Sequence, residues 1–307
     1  MSRYDAVVIG GGPAGVTAAL YLLRAGVRVL LMERLAPGGQ VLLTEEVENY
    51  PGFPKGVKGY ELADLFDAHL ANYELEHMTE EVESITKDGD LHRIKAGDQE
   101  VEASVVIICS GARYRKLGAP GEEEFQGRGV SYCALCDGNF FRGKDVAVIG
   151  GGNTALEESL YLGRLVNKLH LVHRRDDFRG LKCYQDKCFV HPKISVVRST
   201  VPKRILGGDY VTGVLLENVK TGEEFEIGVD GVFVFVGFEP AGAFFPLALE
   251  LDDSGFIKTD AEMRTSIPGL FAAGDIRSKN VRQVATAVGD GATAATNAFA
   301  YLEQLHA

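Results

Sequence analysis

The chain lacks any run of about 18 consecutive apolar residues, and from Met1 it passes straight into the strand-like Ala6-Val7-Val8-Ile9 with no basic-then-apolar leader. Neither a membrane span nor a secretory signal is expected, so the expected compartment is the cytoplasm. Positive charge is also short. With 32 Lys and Arg against 43 Asp and Glu, the net charge is -11. This argues against a nucleic-acid binder, which needs basic faces to neutralise phosphate. Cysteine is sparse: five in 307 residues do not make a disulfide-stapled secreted domain, which would be short and Cys-dense. In a reducing compartment a close pair is instead catalytic or metal-binding in character, and only Cys133 and Cys136 have the CxxC spacing.

Glycine, by contrast, is abundant. Thirty-seven glycines exceed the usual share of about 7%, which points to tight turns and close backbone approaches to a ligand. The length suits two domains, and the balance of 46% hydrophobic to 24% charged residues excludes disordered and fibrous chains.

One pattern occurs twice. Ala6-Val7-Val8-Ile9 reads as an apolar strand, followed by a glycine turn, a helix over 15–25 and a second strand over 28–32. It recurs 140 residues on, as a strand over 146–149, the turn Gly150-Gly151-Gly152-Asn153-Thr154-Ala155, a helix over 156–165 and a strand over 168–172. That period is too long for a solenoid. The expected fold is α/β with two Rossmann-like dinucleotide-binding domains. After each copy come β-like segments with a turn, at Asp88-Gly89 and at Thr221-Gly222, and then an apolar run, 105–108 and 232–236. The aperiodic stretches 112–120 and 238–243 read as two crossings of a hinge. A strand near 270–273, Gly274-Asp275 and a helix over 283–305 would complete the first domain.

In the first copy Gly10-x-Gly12-x-x-Gly15 lies between strand and helix, the context of a dinucleotide fingerprint whose pyrophosphate sits on a helix N-terminus. Glu33, 23 residues past Gly10, can accept from a ribose 2′-hydroxyl and would repel a 2′-phosphate. In the second copy the position 23 past Gly150 is His173, followed by Arg174, Arg175 and Arg179. Guanidinium groups there match a 2′-phosphate, so the second copy is expected to prefer NADPH.

Cys133-Ala134-Leu135-Cys136-Asp137 lies between the two signals. Cysteines three apart can close a small disulfide, and thiols in such motifs commonly titrate low enough for exchange near neutrality. Asp137 could hold or return a proton. A metal site would need two more ligands, and Cys183 and Cys188 are spaced unlike a zinc knuckle. Cys109 reads as a small core residue.

These segments resemble the low-molecular-weight thioredoxin reductases, FAD-containing homodimers, over essentially the whole chain. The resemblance is carried by Gly38-Gly39-Gln40, the stretch from Glu46 to Gly52, Cys133-x-x-Cys136-Asp137-Gly138, the second glycine turn, His173-Arg174-Arg175-x-x-x-Arg179, Ala273-Gly274-Asp275 and Arg282-Gln283. It implies an FAD domain of residues 1–112 and 243–307, interrupted by an NADPH domain over 113–242 that carries the CxxC. FAD would be held by Gly10, Gly12, Pro13, Ala14, Gly15, Glu33, Gly39, Gln40, Asn49, Gly274, Asp275, Arg282, Gln283 and Val284. NADPH would lie against Gly152, Asn153, Thr154, His173, Arg174, Arg175 and Arg179. Cys136 would take electrons beside the flavin, Cys133 would carry the mixed disulfide with thioredoxin, Asp137 would be the acid-base group, and the NADPH domain would rotate between half-reactions. Val284 stands where Ala is commoner in the family. Related flavoproteins of peroxide-reducing systems carry an N-terminal extension with its own CxxC, and ferredoxin-NADP reductases of this type lack the cysteine pair. A redox sensor using the pair as a clip would not need two dinucleotide sites.

Overall fold

Strands that are apolar at every position, not at alternate ones, need cover on both faces. Four such runs organise the protein: Val7 to Ile9, Val105 to Ile108, Val146 to Ile149 and Val232 to Phe235. In the computed structural model, which describes residues 2–306 apart from 45, 243 and 247, they are the central strands of two units. One unit comprises Met1–Arg113 and Glu239–Ala307, and the other Tyr114–Phe238.

The first unit opens with β1 (Ser2–Ile9), α1 (Pro13–Arg24) and β2 (Val29–Met32). Pro13 occupies the first helical turn, where a missing N–H costs nothing. There follow a short antiparallel pair, β3 (Glu46–Val47) and β4 (Val57–Lys58), then α2 (Gly59–Leu70), β5 (Glu76–Met78), β6 (Val82–Asp88), β7 (Leu91–Ala96) and β8 (Gln99–Ile108). The sheet order runs β5-β2-β1-β8-β7-β6. β1 pairs in parallel with β2 and β8, Val7 lying beside Leu30 and Val106, whereas β7 is antiparallel to the first half of β8.

From β9 (Ala112–Tyr114) the chain enters the second unit: β10 (Val130–Ser131), α3 (Ala134–Asp137), β11 (Asp145–Gly150), α4 (Asn153–Gly163), β12 (Lys168–Val172), α5 (Lys182–Phe189) and β13 (Ile194–Val197). A meander of β14 (Thr200–Gly207), β15 (Val211–Asn218) and β16 (Glu224–Gly228) leads to β17 (Gly231–Phe235). The parallel sheet has the order β10-β17-β11-β12-β13. The chain returns through β18 (Phe238–Pro240), which pairs with β9. In the first unit β19 (Leu270–Ala272) then runs parallel to the end of β8, and α6 (Val284–His306) follows.

The repeat therefore extends beyond the glycine turns. β1 lies between β2 and β8 as β11 lies between β12 and β17, and each copy carries an antiparallel meander. In the second unit Val146, Val148 and Phe233 pack with Leu156 and Leu162 of α4. On the other face Ala147, Ile149, Val232 and Val234 meet Val214 and Leu216 of the meander. Each fully buried side chain of this size contributes about 1.5–3 kcal/mol. α4 starts three residues before the apolar pattern that predicts it, because Asn153 and Thr154 fill an exposed first turn. The return crossing falls at Phe238–Pro240, ahead of the expected 242/243 junction, because those residues are the ones that pair with β9. No helix among the described residues is long and apolar enough to cross a membrane.

β7 carries a fully buried histidine. His92 Nε2 lies 3.2 Å from the Pro268 carbonyl, and Nδ1 has no hydrogen-bond partner among the described residues. Burial, and then nearby Lys87, push the ring down to about 4 from its ordinary 6.5. The neutral ring suits the fold, while the unfolded chain takes up a proton below about pH 6.5. Stability is thus fully present above that pH and is lost as the pH falls toward 4, by about 3 kcal/mol for a shift of this size. His92→Gln is expected to flatten the fall of the thermal unfolding midpoint across this window. A fall as steep as in the unaltered protein would contradict the assignment.

Candidate active site

The two glycine turns share one contact. At Gly10, with φ +104°, a Cβ would lie 2.4 Å from the Cys109 carbonyl oxygen. At Gly150, with φ +157°, it would lie 2.4 Å from the Phe235 carbonyl oxygen. In both, the strand-to-helix turn is pressed against the end of the neighbouring strand, and only glycine fits there. A Cβ at Gly15 would fall 1.8 Å from Gly10 O, so α1 also starts too close to the turn for any side chain. The cradle leaves the N-terminus of α1, at Pro13 and Ala14, with the helix-end geometry that favours an anion such as a pyrophosphate.

Around this first turn the structure gathers the expected residues. Glu33 Oε2 accepts from Gly11 N at 2.7 Å, and Oε1 from Leu35 N at 2.9 Å. Gly38 N donates to Gly11 O at 2.7 Å, and a Cβ at Gly39 would stand 2.9 Å from Gly12 Cα. Gln40 Nε2 donates to the Ala112 carbonyl. Asn49 Nδ2 donates to Gln283 Oε1 at 2.9 Å, joining two residues far apart in sequence. Val284 opens α6 and packs against the cluster of Val41, Val47, Val57 and Leu62. Asp275 Oδ1 is buried without a hydrogen-bond partner among the described residues, 3.5 Å from Lys279 Nζ, and burial raises its titration. A buried acceptor with spare capacity suits a hydroxyl-bearing ligand.

Two features here have no local sequence signal. Asp290 Oδ2, on α6, takes Gly274 N at 3.1 Å, Lys279 Nζ at 2.9 Å and Arg277 Nη1 at 3.0 Å. It thereby fixes the turn that carries Gly274 and Asp275. Arg282 completes the clasp, donating to the carbonyls of Lys279 at 3.0 Å and Asp275 at 3.4 Å. Ser110, next to the Gly10 turn, has a buried hydroxyl without a partner among the described residues.

The second turn borders a cleft of about 490 Å³ lined by Gly150, Gly151, Gly152, Thr154, His173, Arg174 and Arg179, among others. The His173 ring lies against Gly151, where a Cβ would come within 2.3 Å of it. Burial, and then the charges of Arg179, Arg174 and Arg175, hold this ring below its ordinary range, while the Asp177 carbonyl opposes them. The imidazole is therefore neutral at pH 7, and the positive charge of the cluster resides on guanidinium groups. Arg175 and Asn153 are not on the cleft wall. The Asn153 side chain instead accepts from Leu181 N at 2.7 Å.

Cys133 and Cys136 form a disulfide at the start of α3, with Cα atoms 5.3 Å apart. Both are half-buried, and Leu135 and Phe140 beside them expose apolar side chains. Asp137 Oδ2 accepts from Ser131 Oγ at 2.5 Å. Ser131 has no signal in the local motif, and strand β10 brings it to Asp137. Tyr132, adjacent to Cys133, donates to the buried Glu122 carboxylate at 2.9 Å and stacks on Tyr114. Cys109 is buried and unpaired, its thiol pushed far up by burial. Cys183 is exposed and unpaired, and Cys188 is buried and unpaired. No group of metal ligands occurs among the described residues.

Two strand–glycine–helix nucleotide sites and a redox-capable disulfide on one chain define a pyridine-nucleotide-dependent disulfide oxidoreductase. The model of the pyridine nucleotide-disulphide oxidoreductase family matches residues 4–291. The thioredoxin reductase of Listeria monocytogenes is 45% identical over 304 residues, covering 98% of this chain and 95% of its own. The solved thioredoxin reductase of Streptococcus pyogenes superposes with a TM-score of 0.92 at 46% identity, over 99% of each chain. That of Lactococcus lactis gives 0.69 at 45% identity, over 98% of this chain and 99% of its own. The chain belongs to the low-molecular-weight thioredoxin reductases of this family.

Loss of a charge-assisted contact costs about 1.5–3 kcal/mol, or roughly 10- to 150-fold in affinity. Arg174→Ala with Arg179→Ala, which removes two such groups, is therefore expected to raise the KM for NADPH by at least that factor and to leave the KM for NADH nearly unchanged. Steady-state kinetics with both nucleotides tests this, and equal effects on the two would refute the phosphate-reading role.

Proposed function

We infer that the chain is an NADPH-dependent thioredoxin-disulfide reductase in which the Cys133–Cys136 disulfide is the outlet of the electron path. The observation that carries this reading is the disulfide on a chain whose two glycine turns differ in the side chains at the end of the second strand, Glu33 in one and His173 with its arginines in the other. FAD at the first turn supplies a two-electron carrier between the nicotinamide of NADPH and sulfur. The glycine cradle, the carboxylate of Glu33 and the spare acceptor of Asp275 support the assignment of that turn to FAD. Arg174, Arg179 and Thr154 on the cleft support the assignment of the other to NADPH.

The remaining steps belong to the protein's own residues. Once the pair is reduced, the Cys133 thiolate attacks a sulfur of the thioredoxin disulfide, forming a mixed disulfide and releasing one thioredoxin thiolate. Cys136 then attacks Cys133 Sγ, re-forming the internal disulfide and releasing the second thioredoxin sulfur. Asp137, oriented by Ser131, is suited to move the protons these sulfurs need. The exposed Leu135 and Phe140 offer apolar surface to a protein substrate. The division of labour between the two sulfurs rests on the family resemblance. So do pairing with a second copy of the chain and rotation of the second unit about β9 and β18, while work in the cytoplasm is the expectation from the lack of a long apolar run. For the rotation, the two strands being the chain's only crossings between units is further support.

Cys136→Ser is expected to leave reduction of the flavin by NADPH intact and to lower thioredoxin turnover by roughly three orders of magnitude or more. Stopped-flow absorbance and a coupled thioredoxin assay read the two halves. Undiminished turnover would remove the pair from the mechanism.

A further inference from the structure

Three peptide N–H groups open the redox helix α3. That of Cys136 points at Cys133 Sγ, 3.1 Å away. Those of Ala134 and Leu135 act on the carboxylate of Glu158, on α4, and hold its titration down. Glu158 Oε2 is buried and has no hydrogen-bond partner among the described residues. Packing fixes this arrangement. Ala134 is fully buried in one cluster with Ala155, Leu156 and Leu162 of α4, and a Cβ on Gly138, just past α3, would come within 3.1 Å of the Tyr161 ring. The amides at the head of one short helix are thus divided between a carboxylate and the sulfur of Cys133.

We propose that Glu158 is a positioning residue for the disulfide chemistry, which takes up a proton when reduction leaves a thiolate on Cys133 and returns it on reoxidation. Two electrons, delivered by the enzyme's own activity, and two protons from water convert the disulfide and the Glu158 carboxylate into a Cys136 thiol, a Cys133 thiolate and a Glu158 carboxylic acid. The Sγ–Sγ bond breaks, and the net charge at the head of α3 is unchanged. The thiolate is therefore stabilised by amides that it no longer shares with a charged Glu158. Burial, and then the neighbouring Glu157, bring Glu158 up to about 7 even before a thiolate is present.

The other charged groups around it are accounted for. Glu157 is engaged by the Tyr184 hydroxyl of α5, and on the same helix Lys182 pairs with Asp186 beside Lys187. Asp137 of α3 is bonded to Ser131. β11 and β12 carry Asp145, Lys168 and His170, and β17 carries no charge. Among these, Glu157 alone acts on Glu158.

The inference rests on the reading that Cys133 bears the thiolate, and the test separates the two. The holoenzyme and its E158Q variant are equilibrated with dithiothreitol redox buffers at several pH values, quenched with iodoacetamide, and the Cys133–Cys136 peptide is quantified by mass. Dithiothreitol releases two protons with its two electrons, so in the range just above about pH 7 the equilibrium of the unaltered enzyme, which takes up both, is level with pH, whereas that of E158Q, which takes up one, shifts about tenfold per pH unit toward the thiols. A purely structural role would displace the two lines without altering their slopes, so parallel lines overturn the coupling. Limiting iodoacetamide maps the reactive sulfur, and labelling of Cys136 in place of Cys133 overturns the assignment of the sulfurs. The unaltered enzyme labelled with carbon-13 glutamate gives a reading that needs no variant. Its reduced-minus-oxidised infrared spectrum should gain an isotope-shifted carboxylic-acid carbonyl band, and the absence of that band overturns the proposal.

Discussion

The rest of the structure depends on a contact between a backbone and the end of a strand. The first glycine of each nucleotide turn lies so close to a carbonyl of the adjacent strand, Cys109 O or Phe235 O, that any side chain would overlap it. This closeness lets β1 or β11 turn directly into a helix, and it leaves the first helical N–H groups facing outward with no side chain in front of them. Everything that distinguishes the two units is added around this shared element. The adjacent strand is placed by parallel pairing, Ile9 with Ile108 and Gly150 with Phe235, so the turn's geometry is inherited from the sheets.

Given two copies of one device, direction comes from chemistry at a single position. After the second strand, one copy has a carboxylate bonded to the turn through Gly11 N. The other has a neutral imidazole against Gly151 and arginines on the cleft. An acid next to a ribose rejects a 2′-phosphate, and guanidinium groups bind it. The same fold can thus hold two nucleotides of different charge in one chain. The Cys133–Cys136 pair acquires its meaning as an outlet from that asymmetry, since a CxxC alone is equally compatible with a clip or half of a metal site.

Much of this was legible in the sequence because the signals are short and local. Glycine turns, apolar strand runs, the CxxC and the arginine cluster are each contained within a few residues, and the hairpins at Asp88-Gly89 and Thr221-Gly222 follow from turn chemistry. What escaped is tertiary. Asp290 reaches Gly274 only because α6 is laid beside the turn, Ser131 reaches Asp137 only because β10 leads into α3, and Glu158 meets the redox helix only through packing of α3 on α4. Of the arginine cluster, Arg174 and Arg179 line the cleft, and the Asn153 side chain accepts from Leu181 N.

On the proposed mechanism the disulfide and the flavin form one electron store fed from NADPH, and anaerobic titration of the holoenzyme, followed by flavin absorbance and by thiol counting, measures its capacity. Each flavin is expected to take up its own pair of electrons, and a second pair to appear as the Cys133 and Cys136 thiols. Uptake of the flavin's pair alone, with the disulfide intact, would contradict that mechanism.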